Sequence, residues 1–156
     1  MRKAIFIFAA LGTIILTACN TSKRPAAGAP SGTILEQRWK LTELAGKPVP
    51  DQINHKEPFL QLQSSDSRFS ASAGCNGLGG TFTLQDNGRI RFRLGASTLM
   101  ACDHMEMEQG LIRALESADN YTIRNNELSL NKARMAPLAR FRAVTSGQES
   151  SALNGT

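Results

Sequence analysis

Thr81-Phe82-Thr83-Leu84-Gln85-Asp86-Asn87-Gly88-Arg89-Ile90-Arg91-Phe92-Arg93-Leu94 is two alternating runs around a turn. In the first, Phe82 and Leu84 alternate with Thr81, Thr83 and Gln85. In the second, Ile90, Phe92 and Leu94 alternate with three arginines. Successive side chains of a strand point to opposite faces, so a period of two gives each run one apolar face and one polar face. Asn87 and Gly88 tolerate the positive φ that a tight hairpin needs. The stretch therefore predicts an antiparallel hairpin with three cations on one side of its second strand. Such a row is ordinarily a solvated face; the sharper reading is contact with anionic lipid or lipopolysaccharide head groups.

The same period recurs on both sides. Trp39 and Leu41 alternate with Lys40 and Thr42, and Leu60 and Leu62 with Gln61 and Gln63. Asn125-Asn126 separates residues 121–124 from 127–130, which predicts a second hairpin. In the closing run, Leu138, Arg140 and Arg142 oppose Ala139, Phe141 and Ala143, and the pattern leaves its facing open. One segment departs from this period. Between residues 103 and 118, Met107, Leu111, Ala114, Leu115 and Ala118 recur at helical spacing, with Glu106, Glu108, Arg113 and Glu116 largely on other faces. Asp103 followed by Glu106 resembles a capping box, and Gly110 either weakens the helix or allows close approach to the sheet. Several strands and one helix predict an α+β domain: a curved or barrel-like antiparallel sheet with one packed helix covering an open side or end.

The ends of the chain read differently. Arg2 and Lys3 precede an apolar stretch, residues 4–16, that is too short to span a bilayer core, which needs ~20 residues. Leu16-Thr17-Ala18-Cys19 follows and resembles a bacterial lipobox; the alternative is an ordinary secretory segment with a chance cysteine. The lipobox reading makes residues 1–18 a lipoprotein signal peptide and Cys19 the lipidated first residue, anchored by several acyl chains. Asn20 is not the Asp that commonly retains such proteins in the inner membrane, so the expected location is the outer membrane, facing the periplasm. Residues 19–33 form the lipidated cysteine and a Pro- and Ala-rich tether, residues 34–144 the folded domain, and residues 145–156 a disordered tail.

Composition narrows the function classes. With 156 residues, 13 glycines, 41% apolar and 20% charged residues, the chain is neither collagen-like nor wholly disordered and has room for one domain. Losing Arg2 and Lys3 with the signal peptide lowers the formal charge from +5 to +3. Neither that charge nor any helix-turn-helix or RNA-binding signature points to nucleic acid, and a chain that leaves the cytoplasm would not meet it.

Four further stretches carry a family resemblance: Trp39-Lys40-Leu41, the run from Ala73 through Gly74, Cys75, Asn76, Gly77, Leu78 and Gly79 to Gly80, then Thr98-Leu99-Met100-Ala101-Cys102, and Tyr121 ahead of Leu128-Ser129-Leu130. In this order they resemble the META/HslJ-like domain, with Gly74, Asn76, Gly80, Thr98 and Met100 as motif positions. The resemblance implies a compact domain of antiparallel strands plus a helix, secreted or lipoprotein placement, and links to heat stress, novobiocin resistance and, in some parasites, virulence. It implies no enzymatic reaction. Residues 132–137 depart from the Gly-containing turn common before the last strand, which puts the register of that strand in doubt.

With Cys19 lipidated, Cys75 and Cys102 remain as a pair in an oxidising compartment. A disulfide is the favoured reading; two reduced thiols packed side by side is the rival. Gly74, Gly77, Gly79 and Gly80 suit a turn or close backbone contact, and Asn76 suits bonding to the backbone it turns around. The glycine run lacks both the Lys-Ser/Thr end of a phosphate loop and the order of a dinucleotide site, so no nucleotide or other cofactor is expected. Cys75 with His55 or His104 can be drawn as nucleophile and base, and Cys102-Asp103-His104 as part of a metal site. Both drawings are weak, because the cysteines face oxidation and the histidines are few, so neither a metal nor an enzyme is expected. The leading expectation is a non-catalytic envelope lipoprotein that binds a protein or amphiphile and supports outer-membrane integrity under stress. A structural or assembly-associated lipoprotein is the alternative, and a thiol-dependent enzyme using Cys75 the least favoured.

Overall fold

The computed structural model describes residues 33–103 and 105–144. The expected signal peptide, Cys19, the expected tether up to residue 32, His104 and the expected tail from residue 145 lie outside the described residues. The strands are β1 (Arg38–Leu44), β2 (Lys47–Pro48), β3 (Phe59–Gln63), β4 (Arg68–Ser72), β5 (Gly77–Gln85), β6 (Arg89–Ser97), β7 (Asn120–Arg124), β8 (Glu127–Asn131) and β9 (Ala139–Ala143), and the helix α1 (Met105–Ser117) joins β6 to β7.

The expected α+β class does not hold. β1 pairs with β3 on one side and with β9 on the other, so the antiparallel sheet closes on itself as an eight-strand barrel, with the two-residue β2 an extra pairing on β1. Closure removes the open side that the helix was expected to cover, and the fold is a β-barrel carrying one short helix. The physical reason is that a twisted sheet of short strands satisfies its two edges by joining them. The pairing that does so, Trp39↔Ala143 through Leu44↔Ala139, links opposite ends of the domain.

Each strand forms for a local reason. Trp39, Leu41, Leu60, Leu62, Phe82, Ile90 and Phe92 all point inward and are buried, as the alternation requires. Asn87 and Gly88 take φ of 62° and 71° at the β5–β6 turn, and Asn125 and Asn126 take 49° and 63° between β7 and β8. Both hairpins thus use the left-handed region, which matches the twist of the flanking strands. In β9, Ala139 and Phe141 face the core and Arg140 and Arg142 face out, which resolves the ambiguous last run. Sequence reading missed β4. Phe69 and Ala71 alternate with Arg68 and Ser70, but Ala and Ser give a weak apolar signal, and Ser72 itself is buried.

The interior is filled by side chains, as a barrel of this size requires. Phe69 and Phe92 meet edge to face with ring centroids 5.2 Å apart. The Trp39 indole donates to the Ile34 carbonyl at 3.0 Å, which fixes the entering chain against the barrel. Leu111 and Leu115 of α1 join this core, where full burial of one such side chain contributes about 1.5–3 kcal/mol. α1 contacts β6, β1 and β8. β6 and β7, the strands that α1 joins in the chain, share one residue pair, Arg89↔Asn120. Gly110 does give close approach: a β-carbon there would stand 2.8 Å from the Leu44 side chain of β1. The core runs from Ile34 to Phe141 and the wall closes within residues 38–143.

Candidate functional site

The motif residues gather at one corner of the barrel, where the β4–β5 loop meets the chain leaving β6. Ser72 at the end of β4 accepts from the Gly74 N–H at 3.0 Å, turning the chain. Gly74 has φ of 101°, and a β-carbon on it would overlap the side chain and carbonyl of Ile53. The position therefore requires glycine twice, for conformation and for contact. Cys75 is bonded to Cys102 with Cα atoms 6.2 Å apart, a separation ordinary for a disulfide. The Lys56 ammonium donates to the Cys75 carbonyl at 3.3 Å, tying in the β2–β3 loop.

Asn76 is the centre of the corner and is almost wholly buried. Its Oδ1 accepts from the Thr98 hydroxyl and from the Met100 N–H, both at 2.8 Å. Its Nδ2 donates to the Met100 carbonyl at 3.1 Å and to both carboxylate oxygens of Glu108 at 3.0 and 3.1 Å. The Asn76 backbone N–H reaches Glu108 Oε2 at 3.1 Å, and the Gly77 N–H reaches Thr98 Oγ1 at 3.1 Å. An amide suits the position because it receives on one side and gives on the other; a carboxylate or a hydrocarbon there would leave partners unsatisfied. Among the described residues no buried side-chain nitrogen or oxygen lacks a partner.

The structure thus brings Gly74, Cys75, Asn76, Thr98, Met100 and Cys102 together. Gly80 stands apart in β5, where a β-carbon would collide with the Arg93 carbonyl and the Phe69 ring, so its absence lets β6 and that ring close on the strand. Asn76 bonds across to residues more than twenty positions away rather than to the turn it occupies. Glu108 was missed. Sequence reading placed it on a polar face, yet it is buried. Its position three residues before Leu111 and seven before Leu115 lies on the buried stripe, and that spacing was the available signal.

Beside this corner lies an open cleft of about 460 Å³, lined by Pro50, Gln52, Ile53, Asn54, His55, Asp103, Glu106 and Met107. Asn54 and His55 sit at its lip with φ of 50° and 59°, and the Asn54 amide donates to the Asp103 carbonyl at 3.2 Å. His55 is exposed there, while the Cys75 sulfur is committed to Cys102. Among the described residues no three His, Cys, Asp or Glu side chains are placed to hold a metal ion. Leu99 is 94% exposed and Met100 49%, in the segment that the disulfide and Asn76 hold from either end. The carboxylates held below their ordinary range lie elsewhere. Glu36 is lowered by the backbone N–H and hydroxyl of Ser64, Asp51 by Lys40, and Asp119 by the Ala133 N–H and the Asn120 amide.

Comparison with known proteins agrees with this architecture. The META domain family model matches residues 32–145. The chain resembles a protein from Burkholderia xenovorans solved by NMR at 22% identity, covering 79% of this chain and 98% of that one with a TM-score of 0.57. It also resembles a DUF4847 family protein from Bacteroides vulgatus solved by crystallography, at 14% identity over 70% of this chain and 93% of that one, with a TM-score of 0.51. At these identities the likeness speaks to the fold alone. No curated protein matches the chain significantly.

Proposed function

This chain belongs to the META domain family, and on that footing we propose that it is a non-catalytic, lipid-anchored module of the Gram-negative outer membrane that binds an apolar part of an envelope protein or an amphiphile. Such binding would support outer-membrane integrity, and with it tolerance of heat stress and of novobiocin. The observation that carries the reading is the pairing of a saturated polar corner with an exposed apolar edge. Asn76 and Glu108 spend their hydrogen-bonding capacity on each other and on the 98–100 segment, and Cys75 is held in a disulfide. Leu99 and Met100, by contrast, are held out into solvent beside the cleft that Ile53 and Met107 line. Large exposed apolar side chains on a braced segment are what an interface presents. The lipobox at Cys19 supports the anchored placement.

Two measurements test it. A photoreactive amino acid at Leu99 or Gln52 of the chain in intact cells is expected to capture discrete adducts, and a folded protein that captures none refutes binding at this corner. Mass measurement of the membrane-extracted chain is expected to find acyl groups on Cys19; an unmodified chain refutes the anchor. Loss of the stress phenotype without any adduct would favour the structural, assembly-associated role instead.

A further inference from the structure

We propose that the outer face of β6 is a landing surface for anionic phospholipid head groups. Arg89, Arg91 and Arg93 are exposed and project from that face about 7 Å apart, two residues of strand rise each. Their neighbours across the β5 pairing are Gln85, Thr83 and Thr81, which are uncharged hydrogen-bonding groups. Among the described residues none of the three guanidiniums takes part in a salt bridge, whereas Arg38, Arg68 and Arg140 do. Arg68 continues the row through Thr81 but is shared with Asp66 at 3.8 Å. The carboxylate facing the strip is Asp119 at the β6–β7 seam, which Ala133 and Asn120 hold, and it offsets part of the charge on Arg89 and Arg91.

The occupant follows from where the chain enters the barrel. Leu35, two residues into the described structure, lines one shallow groove with Ser67, Thr83 and Leu84. Thr83 and Leu84 are the register partners of Arg91 and Ile90. The described chain therefore begins on the side that carries the arginines. Fourteen residues separate Cys19 from Ile34, and a linker of that length reaches only roughly 20 Å root-mean-square, so an anchor at Cys19 would hold this side, rather than the far wall, against the head groups. The inference rests on the proposed anchor for the position of the membrane, but the strip's affinity is measurable without it.

The experiment uses the chain beginning at Asn20, which keeps the closed barrel and has no anchor, with vesicles of phosphatidylcholine alone or mixed equally with phosphatidylglycerol. Each basic residue near an anionic surface strengthens binding about fivefold, and Asp119 cancels part of that gain. The mixed vesicles are therefore expected to bind between roughly tenfold and a hundredfold tighter at low salt, with the preference collapsing as salt is raised. Replacing all three, R89Q/R91Q/R93Q, is expected to abolish the preference. R124Q/K132Q/R142Q removes the same charge from exposed positions outside the strip and is expected to keep most of it. Equal binding to neutral vesicles, or an equal loss in the second triple variant, overturns the proposal. If the first triple variant fails to fold, R91E alone is read in the same assay, and an undiminished preference overturns it. Absence of lipid on Cys19 would remove the anchor reading while leaving a positive vesicle result intact, so the two failures are distinguishable.

Discussion

Replacing Asn76 by Asp changes one heavy atom and leaves the packing volume unchanged, so its cost isolates the electrostatics of the buried corner. The new carboxylate would lie about 3 Å from that of Glu108 in place of the amide that now donates to it. At an effective dielectric constant of about 20, two charges at ~3 Å repel by roughly 5 kcal/mol. The alternative is for the pair to bind one proton. At pH 7 that costs about 4 kcal/mol for a carboxyl of ordinary pKa near 4, and the proton then restores a hydrogen bond between the two groups. Proton uptake is the cheaper course and sets the magnitude. The folded variant then holds a proton that the unfolded chain lacks, so its stability rises as pH falls, by about 1.4 kcal/mol per unit. Urea unfolding of the chain beginning at Asn20 is the assay. A deficit of about 4 kcal/mol at pH 7 is roughly 2 M in midpoint for a slope near 2 kcal/mol/M, and it should shrink to about 1–1.5 kcal/mol at pH 5. The double variant N76D/E108Q, which exchanges amide and carboxylate, should recover much of the loss and most of the pH dependence. A single variant within about 1 kcal/mol of the parent at pH 7, or a deficit independent of pH, would refute the reasoning.

Reducing the Cys75–Cys102 bridge, whose ends are 27 residues apart, removes about 3.5 kcal/mol on the loop-entropy estimate. For a unit of this size that is roughly 15 °C in Tm, read from thermal melts with and without reductant. Gly80→Val should cost about 3 kcal/mol or more by driving a β-carbon into the Arg93 carbonyl and the Phe69 ring. Gly77→Ala, where a β-carbon meets nothing within 4 Å, should stay within about 0.5 kcal/mol in the same urea titration. Glu36 and Asp119 titrate below their ordinary values of 4.5 and 3.8, so the stability they contribute is complete above those values and is lost as pH falls through the lowered ones. Asp119→Asn should therefore lower Tm at neutral pH and flatten the acid limb of the Tm profile.

The parts of this fold that were legible in the sequence are those whose causes are local. Phe82, Leu84, Ile90 and Phe92 announce a hairpin because alternation and a left-handed turn lie within fourteen residues of one another. Trp39 and Leu41, Leu60 and Leu62 do the same for single strands. Closure was not legible, because it depends on β1 meeting β9 about a hundred residues later, and the only local trace of β9 was an alternation of arginine with alanine and phenylalanine whose facing is ambiguous. β4 was hidden by its small side chains. At the corner, residue types pointed to a turn, and Gly74 is one. The partners of Asn76 were not deducible, since Thr98, Met100 and Glu108 approach it only after β5 and β6 have paired and α1 has folded back.

That dependence bears on how function in this domain should be sought. Asn76 is bonded to two distant segments at once, the 98–100 segment and α1, so substitutions there act first on whether the corner assembles, and a lost phenotype would be the expected result of unfolding as much as of lost binding. Leu99 and the β6 arginines are the opposite case. Leu99 is almost fully exposed, and Arg89, Arg91 and Arg93 contribute no salt bridge among the described residues, so their replacement should leave stability within about 0.5 kcal/mol. A phenotype that follows those residues while the urea midpoint stays fixed must come from contact with something outside the chain. The most recognisable motif is therefore the least suitable place to look for activity, and the exposed residues it braces are the most suitable.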